Sequence, residues 1–198
     1  MNLSPHNKPR MSNEKPQMEP LLTHALCIRP FRIDDAPVFV EAARESILSV
    51  GVWLPWCHEN YSLSEAESWF ASCKQNLQTG SAYEFGIFST STKRLLGGIA
   101  INQINRDHNF GNIGYWIRQS QQRKGIASEA VTAIARYGFQ ELKFMRLEIV
   151  VAEENMASRR VAEKAGAVFE CIARNRLVIG AKVHAAAVYS LVLEQNGF

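Results

Sequence analysis

The sequence lacks the features that would direct it to a membrane or to a nucleic acid. It has no apolar run near the ~20 residues that a membrane-spanning helix needs. Its net charge of +3 is small, and Lys and Arg are scattered among acidic residues, with a local basic cluster at Arg123 and Lys124. We therefore expect neither a membrane nor a nucleic acid as a partner.

Cysteine is also scarce, and its spacing excludes the common metal and disulfide frameworks. Cys27, Cys57, Cys73 and Cys171 form no C-x-x-C pair and have no histidine at metal-ligand spacing. We expect no metal site and four free, partly buried thiols, as is typical of a protein in the reducing cytoplasm. Cys171 is interpreted as a core residue.

The first residues contain several prolines and no apolar segment of the kind found in signal peptides. We predict a flexible tail over residues 1–20 and one domain over residues 21–198. The composition of the whole chain, 46% hydrophobic, is typical of a globular protein with a real core.

Two common nucleotide motifs are missing, G-x-x-x-x-G-K-[ST] and G-x-G-x-x-G, which argues against ATP on a Walker loop and NAD on a Rossmann unit. The stretch QSQQRKGIASEAV, residues 119–131, nevertheless places a glycine and two cations where a strand pattern gives way to a helix pattern. The free N–H groups of a helix N-terminus bind anions. The pattern therefore indicates an anion site at Gly125, although an ordinary strand-to-helix turn has the same spacing.

Periodicity predicts the order β-α-α-β-β-β-α-β-α-β-β, and hence a mixed α+β sheet covered by helices. Ser64 and Glu67 are predicted to form a capping box for the second helix, whose inner face would include Trp69. A third helix is predicted over residues 126–142. The last two strands are expected to pair around Gly180.

The motif QRKGIA resembles the Q/R-x-x-G-x-G/A signature of the GNAT N-acetyltransferases, which holds the pyrophosphate of acetyl-coenzyme A. The resemblance extends over residues 26–193. The segments CIRPFRIDDAPVF, WLPW, LLGGIAI, IGYWI, GIASEAV, N-x-x-S-x-x-V-x-E-K-x-G and VYSLVL occur in the order of the RimJ/RimL-like branch. Members of that branch acetylate the α-amino groups of ribosomal proteins.

This resemblance implies the GNAT acyltransferase fold, with a central splayed sheet flanked by helices, and acetyl-CoA as co-substrate. It implies transfer of an acetyl group to a primary amine, by direct attack in a ternary complex. The expected acceptor is the N-terminal α-amino group of a ribosomal protein, and the enzyme would be a cytoplasmic monomer or homodimer. A small-amine acetyltransferase, acting on a polyamine or an antibiotic, and a catalytically silent acyl-CoA-binding module remain alternatives.

The resemblance also assigns residues to the cofactor. Backbone groups near Ile117 and Arg118 would bind the pantetheine arm, and Asn155 would contact that arm or serve only as a helix cap. The loop that would hold the pyrophosphate comprises Gln122, Arg123, Lys124, Gly125, Ile126, Ala127 and Ser128.

Ser158 is the candidate that would protonate the departing thiolate, with an ordinary first-turn serine as the alternative reading. Tyr189 reads as strand core. Glu84 is a candidate base, with a solvated strand glutamate as the alternative. Trp53 and Trp56 would form the acceptor wall or pack in the core.

This chain departs from its relatives at positions where they carry acidic groups. Asn112 stands where relatives often have a glutamate, and Leu177 where some have a catalytic one. Ala185 and Ala186 replace an acidic and a histidine position next to His184. The base is therefore not assigned by resemblance.

Overall fold

The computed structural model describes residues 18–193. Within that range, eight strands form one sheet in the order β1-β2-β3-β4-β5-β6-β8-β7. All neighbours are antiparallel except β5 and β6, which are parallel. The strands are β1 (Leu21–Leu22), β2 (Leu26–Arg29), β3 (Tyr83–Ser89), β4 (Leu95–Asn105), β5 (Phe110–Ile117), β6 (Arg146–Ala152), β7 (Val168–Ile179) and β8 (Lys182–Val192).

Four α-helices of the described residues cover the two faces of the sheet: α1 (Ala36–Glu45), α2 (Leu63–Thr79), α3 (Ile126–Gln140) and α4 (Met156–Lys164). The mixed α+β prediction and the element order are confirmed, with the two-residue β1 as an addition. The predicted tail over residues 1–20 lies outside the described residues as far as residue 17, and Met18 packs against the core.

The alternation of side chains along the strands produces a separate core on each face. The α3 and α4 face buries residues such as Phe85, Ile99 and Ile134. The α1 and α2 face buries a cluster of alanines and aromatic rings that includes Phe39 and Phe70. Each fully buried side chain of this size stabilises the fold by about 1.5–3 kcal/mol.

The start of α2 corrects the predicted capping box. The segment SLSEAE contains two overlapping S-x-x-E patterns, and the structure uses the earlier one. The Ser62 N–H donates to Glu65 Oε2 (2.8 Å), and the Glu65 N–H donates to Ser62 Oγ (3.3 Å). In this helix Ala66 and Phe70 are buried, whereas Trp69, predicted to lie inside, is 39% exposed.

The parallel pair β5–β6 is short and then opens. The two strands pair only from Phe110 to Asn112 on β5, opposite Arg146 to Glu148 on β6. Beyond this point β5 continues against β4 and β6 continues against β8, so that a gap opens between them. We call this the splay gap. No helix of the described residues is long and apolar enough to cross a membrane.

Candidate active site

Backbone groups of β5 point into the splay gap. The Arg118 N–H donates to the Leu96 carbonyl of β4 (2.9 Å). Successive residues of an antiparallel strand direct their backbone groups to opposite sides, so those of Tyr115 and Ile117 face away from β4. The Ile117 carbonyl accepts a hydrogen bond from Gln122 Nε2 (2.9 Å). The N–H and carbonyl groups of Tyr115 and the N–H group of Ile117 are therefore directed towards the gap.

Asn112 lies where the gap begins. Its Oδ1 accepts the Val150 N–H of β6 (3.3 Å), and its Nδ2 donates to Asn102 Oδ1 (3.0 Å). A neutral amide can donate and accept at once, which an ionised glutamate cannot. Asn112 thus provides a partner for a β6 N–H group at the point where the strands separate.

The predicted anion loop precedes α3. Gly125 has a φ of +81°, a conformation that glycine adopts without steric cost, and no side chain among the described residues caps the helix there. The first-turn N–H groups of Ile126, Ala127 and Ser128 are thus available to a ligand. Ser128 itself turns back, with its Oγ donating to the Gly125 carbonyl (2.9 Å). This uncapped turn is a favourable position for an anion.

The cations near this loop differ from the predicted set. Arg123 is exposed, with a φ of +62°. Lys124 folds back, with Nζ donating to the Ser120 carbonyl (3.1 Å) and to Gln121 Oε1 (3.0 Å). Lys164, from α4, places Nζ 3.7 Å from the point where a Cβ on Gly125 would lie. Lys164 was not predicted from the sequence, although it belongs to the quoted E-K-x-G segment.

Arg118 donates its N–H to β4, so this one of the backbone groups predicted near Ile117 and Arg118 is not directed towards the gap. Its N–H is held by Leu96, and its buried guanidinium (1% exposed) pairs with Glu41 Oε1 (2.6 Å) and with Glu45. Glu45 Oε1 also accepts the Ser120 N–H (2.7 Å). Hydrogen bonding from Arg118 lowers the pKa of Glu45 to about 2. This ion cluster fixes α1 to the start of the anion loop.

Two hydroxyl groups meet between β5 and α4. Tyr115 Oη lies 2.8 Å from Ser158 Oγ and donates to the Ser158 carbonyl (3.0 Å). Asn155 Oδ1 caps α4 by accepting the Ser158 N–H (3.1 Å). Burial raises the pKa of Tyr115 to about 12, so its hydroxyl stays protonated. Tyr115 was not singled out from the sequence, although it lies in the quoted IGYWI segment.

Tyr189 is fully buried, as expected for strand core. Its hydroxyl donates to Glu163 Oε1 (2.9 Å) and accepts from Arg159 Nε (3.2 Å). The Tyr189 hydroxyl thus uses its one proton in the bond to Glu163 and accepts a hydrogen bond from Arg159.

Glu84 lies on the α1 and α2 face and is buried rather than solvated, with 9% of its surface exposed. It accepts a hydrogen bond from Asn76 Nδ2 of α2 (2.9 Å). Across the sheet it pairs with Ala100, which in turn pairs with Gly114 beside the gap. Glu84 is therefore two strand spacings, about 10 Å, from β5 at the edge of the gap. Along this row of paired residues, only Ala100 and Gly114 lie between Glu84 and the gap.

Aromatic rings form a wall beside Glu84, Ala100 and Gly114. Trp56 packs against Trp116 (ring centroids 5.3 Å apart) and Phe39 (5.8 Å). The Trp116 indole fills space left by Gly98, where a Cβ would lie 2.6 Å from its Nε1. Trp53 is half-buried in the turn before Pro55. Trp56 thus serves the core, and Trp116 joins the wall without having been predicted there.

On the other side of the gap, Leu177 pairs with His184, and His184 Nδ1 lies 3.6 Å from Glu154 Oε2. Cys171 is exposed on β7, an edge strand, which corrects its interpretation as core. Cys57 and Cys73 are buried, and burial raises the pKa of both thiols.

Comparison with known proteins agrees with this geometry. A family model described as an acetyltransferase (GNAT) domain matches residues 25–168. YjcK of Bacillus subtilis (strain 168), provisionally described as an N-acetyltransferase, is 40% identical over 107 residues, which cover 54% of this chain and 59% of that protein.

Two solved structures extend the comparison over most of the chain. A Vibrio cholerae protein, provisionally described as a ribosomal-protein-serine acetyltransferase, is 32% identical and superposes with a TM-score of 0.76, covering 89% of this chain and 99% of that one. The ribosomal L7/L12 α-N-protein acetyltransferase RimL, in complex with coenzyme A, has a TM-score of 0.81 at 20% identity, covering 88% and 98%. The chain is a GNAT-family acetyltransferase.

Proposed function

We propose that the protein transfers the acetyl group of acetyl-CoA to the α-amino group of a protein N-terminus, with a ribosomal protein as the expected acceptor. One observation carries this proposal most strongly. The splay gap exposes backbone groups of Tyr115 and Ile117, and an uncapped helix N-terminus at Gly125 follows along the same chain. The RimL structure in complex with coenzyme A has the same fold and supports the same ligand here.

The residues present fit such a ligand. Tyr115 and Ile117 would bind its pantetheine arm as a missing strand would, and the Ile126, Ala127 and Ser128 N–H groups would receive the diphosphate. Lys164 and Arg123 would add positive charge, while Gln122 would shape the loop through its bonds to Ile117 and Ser49. The amide nitrogen of Asn155 would also contact the ligand, because only the amide oxygen is used to cap α4.

Acetyl-CoA supplies an activated thioester, and the protein supplies position and proton handling. Holding the amine next to the thioester carbonyl contributes most of the acceleration. Glu84 would accept the proton of the incoming ammonium through water above Ala100 and Gly114. The Ser158 hydroxyl, hydrogen-bonded to Tyr115, would donate to the departing sulfur.

The surroundings of the acceptor favour a peptide over a polyamine. The wall is aromatic, with Trp56 packed on Trp116, and the same face carries the hydrogen-bonded amides of Asn102 and Asn112. Two carboxylates on this face have hydrogen-bond or ion-pair partners: Glu84 accepts from the neutral Asn76, and Glu148 pairs with Arg146. A polycation would require free carboxylates. Cytoplasmic location and a monomeric or dimeric state remain predictions.

Two assays test this proposal. Calorimetric titration with acetyl-CoA should show saturable binding, and thiol release should be seen with peptides that carry free serine or alanine N-termini. Turnover on polyamines alone would favour the small-amine alternative. Binding without turnover on any amine would favour a silent module, and the absence of binding would refute the proposal.

A further inference from the structure

Small residues beside the splay gap leave an open space on the face covered by α1 and α2. Gly114 lies on β5 at the edge of the gap and pairs with Ala100 of β4. Apart from its chain neighbours, a Cβ on Gly114 would meet one atom of the described residues within 4 Å, Asn102 Nδ2 at 3.6 Å. We call the space above Gly114 and Ala100 the Gly114 recess. A side-chain amide forms its wall.

Hydrogen bonds fix which end of this amide faces the recess. The Val150 N–H of β6 donates to Asn112 Oδ1 (3.3 Å), so Asn112 turns its Nδ2 the other way. That Nδ2 donates to Asn102 Oδ1 (3.0 Å), and Asn102 therefore presents its NH2 group. No described residue accepts a hydrogen bond from this group. Because an amide NH2 group only donates, the recess selects a ligand that carries an acceptor oxygen.

The backbone of β4 departs from regular pairing directly after Asn102. The register with β5 shifts between Asn102 and Asn105, and Gln103 has a φ of +48°. Non-glycine residues seldom adopt a positive φ. Bulges of this kind redirect side chains and are common next to active sites. The irregular backbone thus coincides with the residue whose amide faces the recess.

A carboxylate borders the same recess. Glu84 pairs with Ala100, and Asn102 lies two residues further along β4, on the same face of the sheet. Such diagonal neighbours are about 7–8 Å apart, so a small group between them can contact both side chains. A carboxylate suits an ammonium group, and an amide NH2 suits a carbonyl oxygen. The first residue of a peptide carries these two groups on adjacent carbon and nitrogen substituents of one Cα.

We propose that Asn102 is a specificity-determining residue, whose Nδ2 donates to the carbonyl oxygen of the acceptor's first residue while the α-amine lies between Glu84 and the thioester. This inference rests on the proposed function, whose acceptor it specifies further. It gives a physical reason for selecting an α-amine. A lysine side chain or a polyamine has no carbonyl group next to its amine, so it would leave the amide of Asn102 without a partner.

The test compares two acceptor peptides that differ only at the first peptide bond, which an E-alkene replaces in one of them. The alkene keeps the shape and the free amine and removes the carbonyl oxygen. Asn102→Asp still accepts from Asn112 Nδ2, but it presents a carboxylate oxygen in place of the donor. Asn105→Asp is the control, because the Oδ1 at this position accepts the His108 N–H (2.9 Å), as an aspartate also can. Thermal melting verifies that both variants fold.

The ratio of kcat/KM for the ordinary peptide to that for the alkene peptide is the quantity compared. It should fall about 10-fold from wild type to Asn102→Asp, the effect of one net hydrogen bond, and remain at the wild-type value in Asn105→Asp. Every protein receives the same two amines, so their difference in basicity cancels. A fall of less than about three-fold in Asn102→Asp, or an equal fall in Asn105→Asp, would overturn the proposal.

Binding is measured separately, by calorimetry of both peptides with the protein in excess coenzyme A, so that a failure of acetyl transfer remains distinguishable. A preference for the ordinary peptide that depends on Asn102, without turnover, would refute the proposed acceptor chemistry and support the contact with Asn102. Equal affinities for the two peptides in wild type would overturn that contact, even if the protein acetylates both.

Discussion

At the scale of single residues, Gly125 and Gly166 form a matched pair. Both have positive φ, +81° and +86°, but Gly125 lies near Lys164 whereas a Cβ on Gly166 would meet nothing within 4 Å. Gly125→Glu should weaken acetyl-CoA binding at least 100-fold, since a carboxylate would face the diphosphate, at a cost of about 3 kcal/mol. Isothermal titration calorimetry measures this change.

Gly166→Glu is the control for backbone strain. Like Gly125→Glu, it places a side chain at a positive φ, which costs about 1–2 kcal/mol. It should melt at a lower temperature and keep the wild-type affinity for acetyl-CoA. If Gly125→Glu also binds within a factor of two of wild type, the loop does not hold the diphosphate.

Tyr115 offers a prediction about rate. Tyr115→Phe removes the hydroxyl that contacts Ser158 and keeps the ring. We expect kcat to fall about 10-fold, because the loss of one hydrogen bond of about 1.4 kcal/mol corresponds to a tenfold change in rate, with little change in the KM for acetyl-CoA.

The raised pKa of Tyr115, about 12, gives this prediction a pH signature. Since the phenol stays protonated well above pH 9, the ratio of wild-type to variant kcat should be constant from about pH 6 to 10. A ratio that changes through this range would show that Tyr115 titrates during the reaction.

The residues found from sequence are those with a local signal. Gly125 and Asn155 have such a signal because the start of a helix can be recognised from a few adjacent residues. Lys164 and Trp116 reach their places only through tertiary packing, the first against Gly125 and the second over Gly98. Nothing in a linear pattern fixes such contacts between distant segments.

At the scale of elements, α2 provides a direct comparison of two serines. Ser62 caps the helix, whereas Ser64 lies inside its first turn and is exposed. Ser62→Ala should lower the free energy of unfolding by about 1 kcal/mol, and Ser64→Ala should have almost no effect. Urea denaturation distinguishes the two. Equal effects would contradict the placement of the cap.

The attachment of α1 to the anion loop predicts a pH effect on stability. The Glu45 pKa is lowered from 4.5 to about 2 in the folded protein, so its contribution is present above pH 4.5 and is lost as the pH falls towards 2. Glu45→Gln should therefore cost about 2 kcal/mol at pH 7 and progressively less below pH 4.5.

Glu41→Gln is the matched control, because Glu41 pairs with the same Arg118 but is 61% exposed. Its cost should be at most about 0.5 kcal/mol. Free energies of unfolding from urea titrations between pH 3 and 7 give both values. A cost of Glu45→Gln that does not change over this range would contradict the ion cluster.

At the scale of the whole molecule, element order was predictable because the strand and helix periods differ clearly along this chain. The GNAT resemblance, rather than periodicity, predicted the splayed sheet. The pattern could not show that β5 and β6 separate after Asn112, because strand pairing depends on partners far apart in sequence. The sequence likewise left open which of two overlapping capping boxes starts α2.

The central claim is that the splay gap brings acetyl-CoA to an N-terminal α-amine. Its most direct test is mass spectrometric mapping of a peptide that carries both a free N-terminal serine and an internal lysine, after incubation with the protein and acetyl-CoA. The account predicts one acetyl group, located on the α-amino nitrogen. Acetylation of the lysine side chain instead, or of neither amine when acetyl-CoA binds, would contradict it.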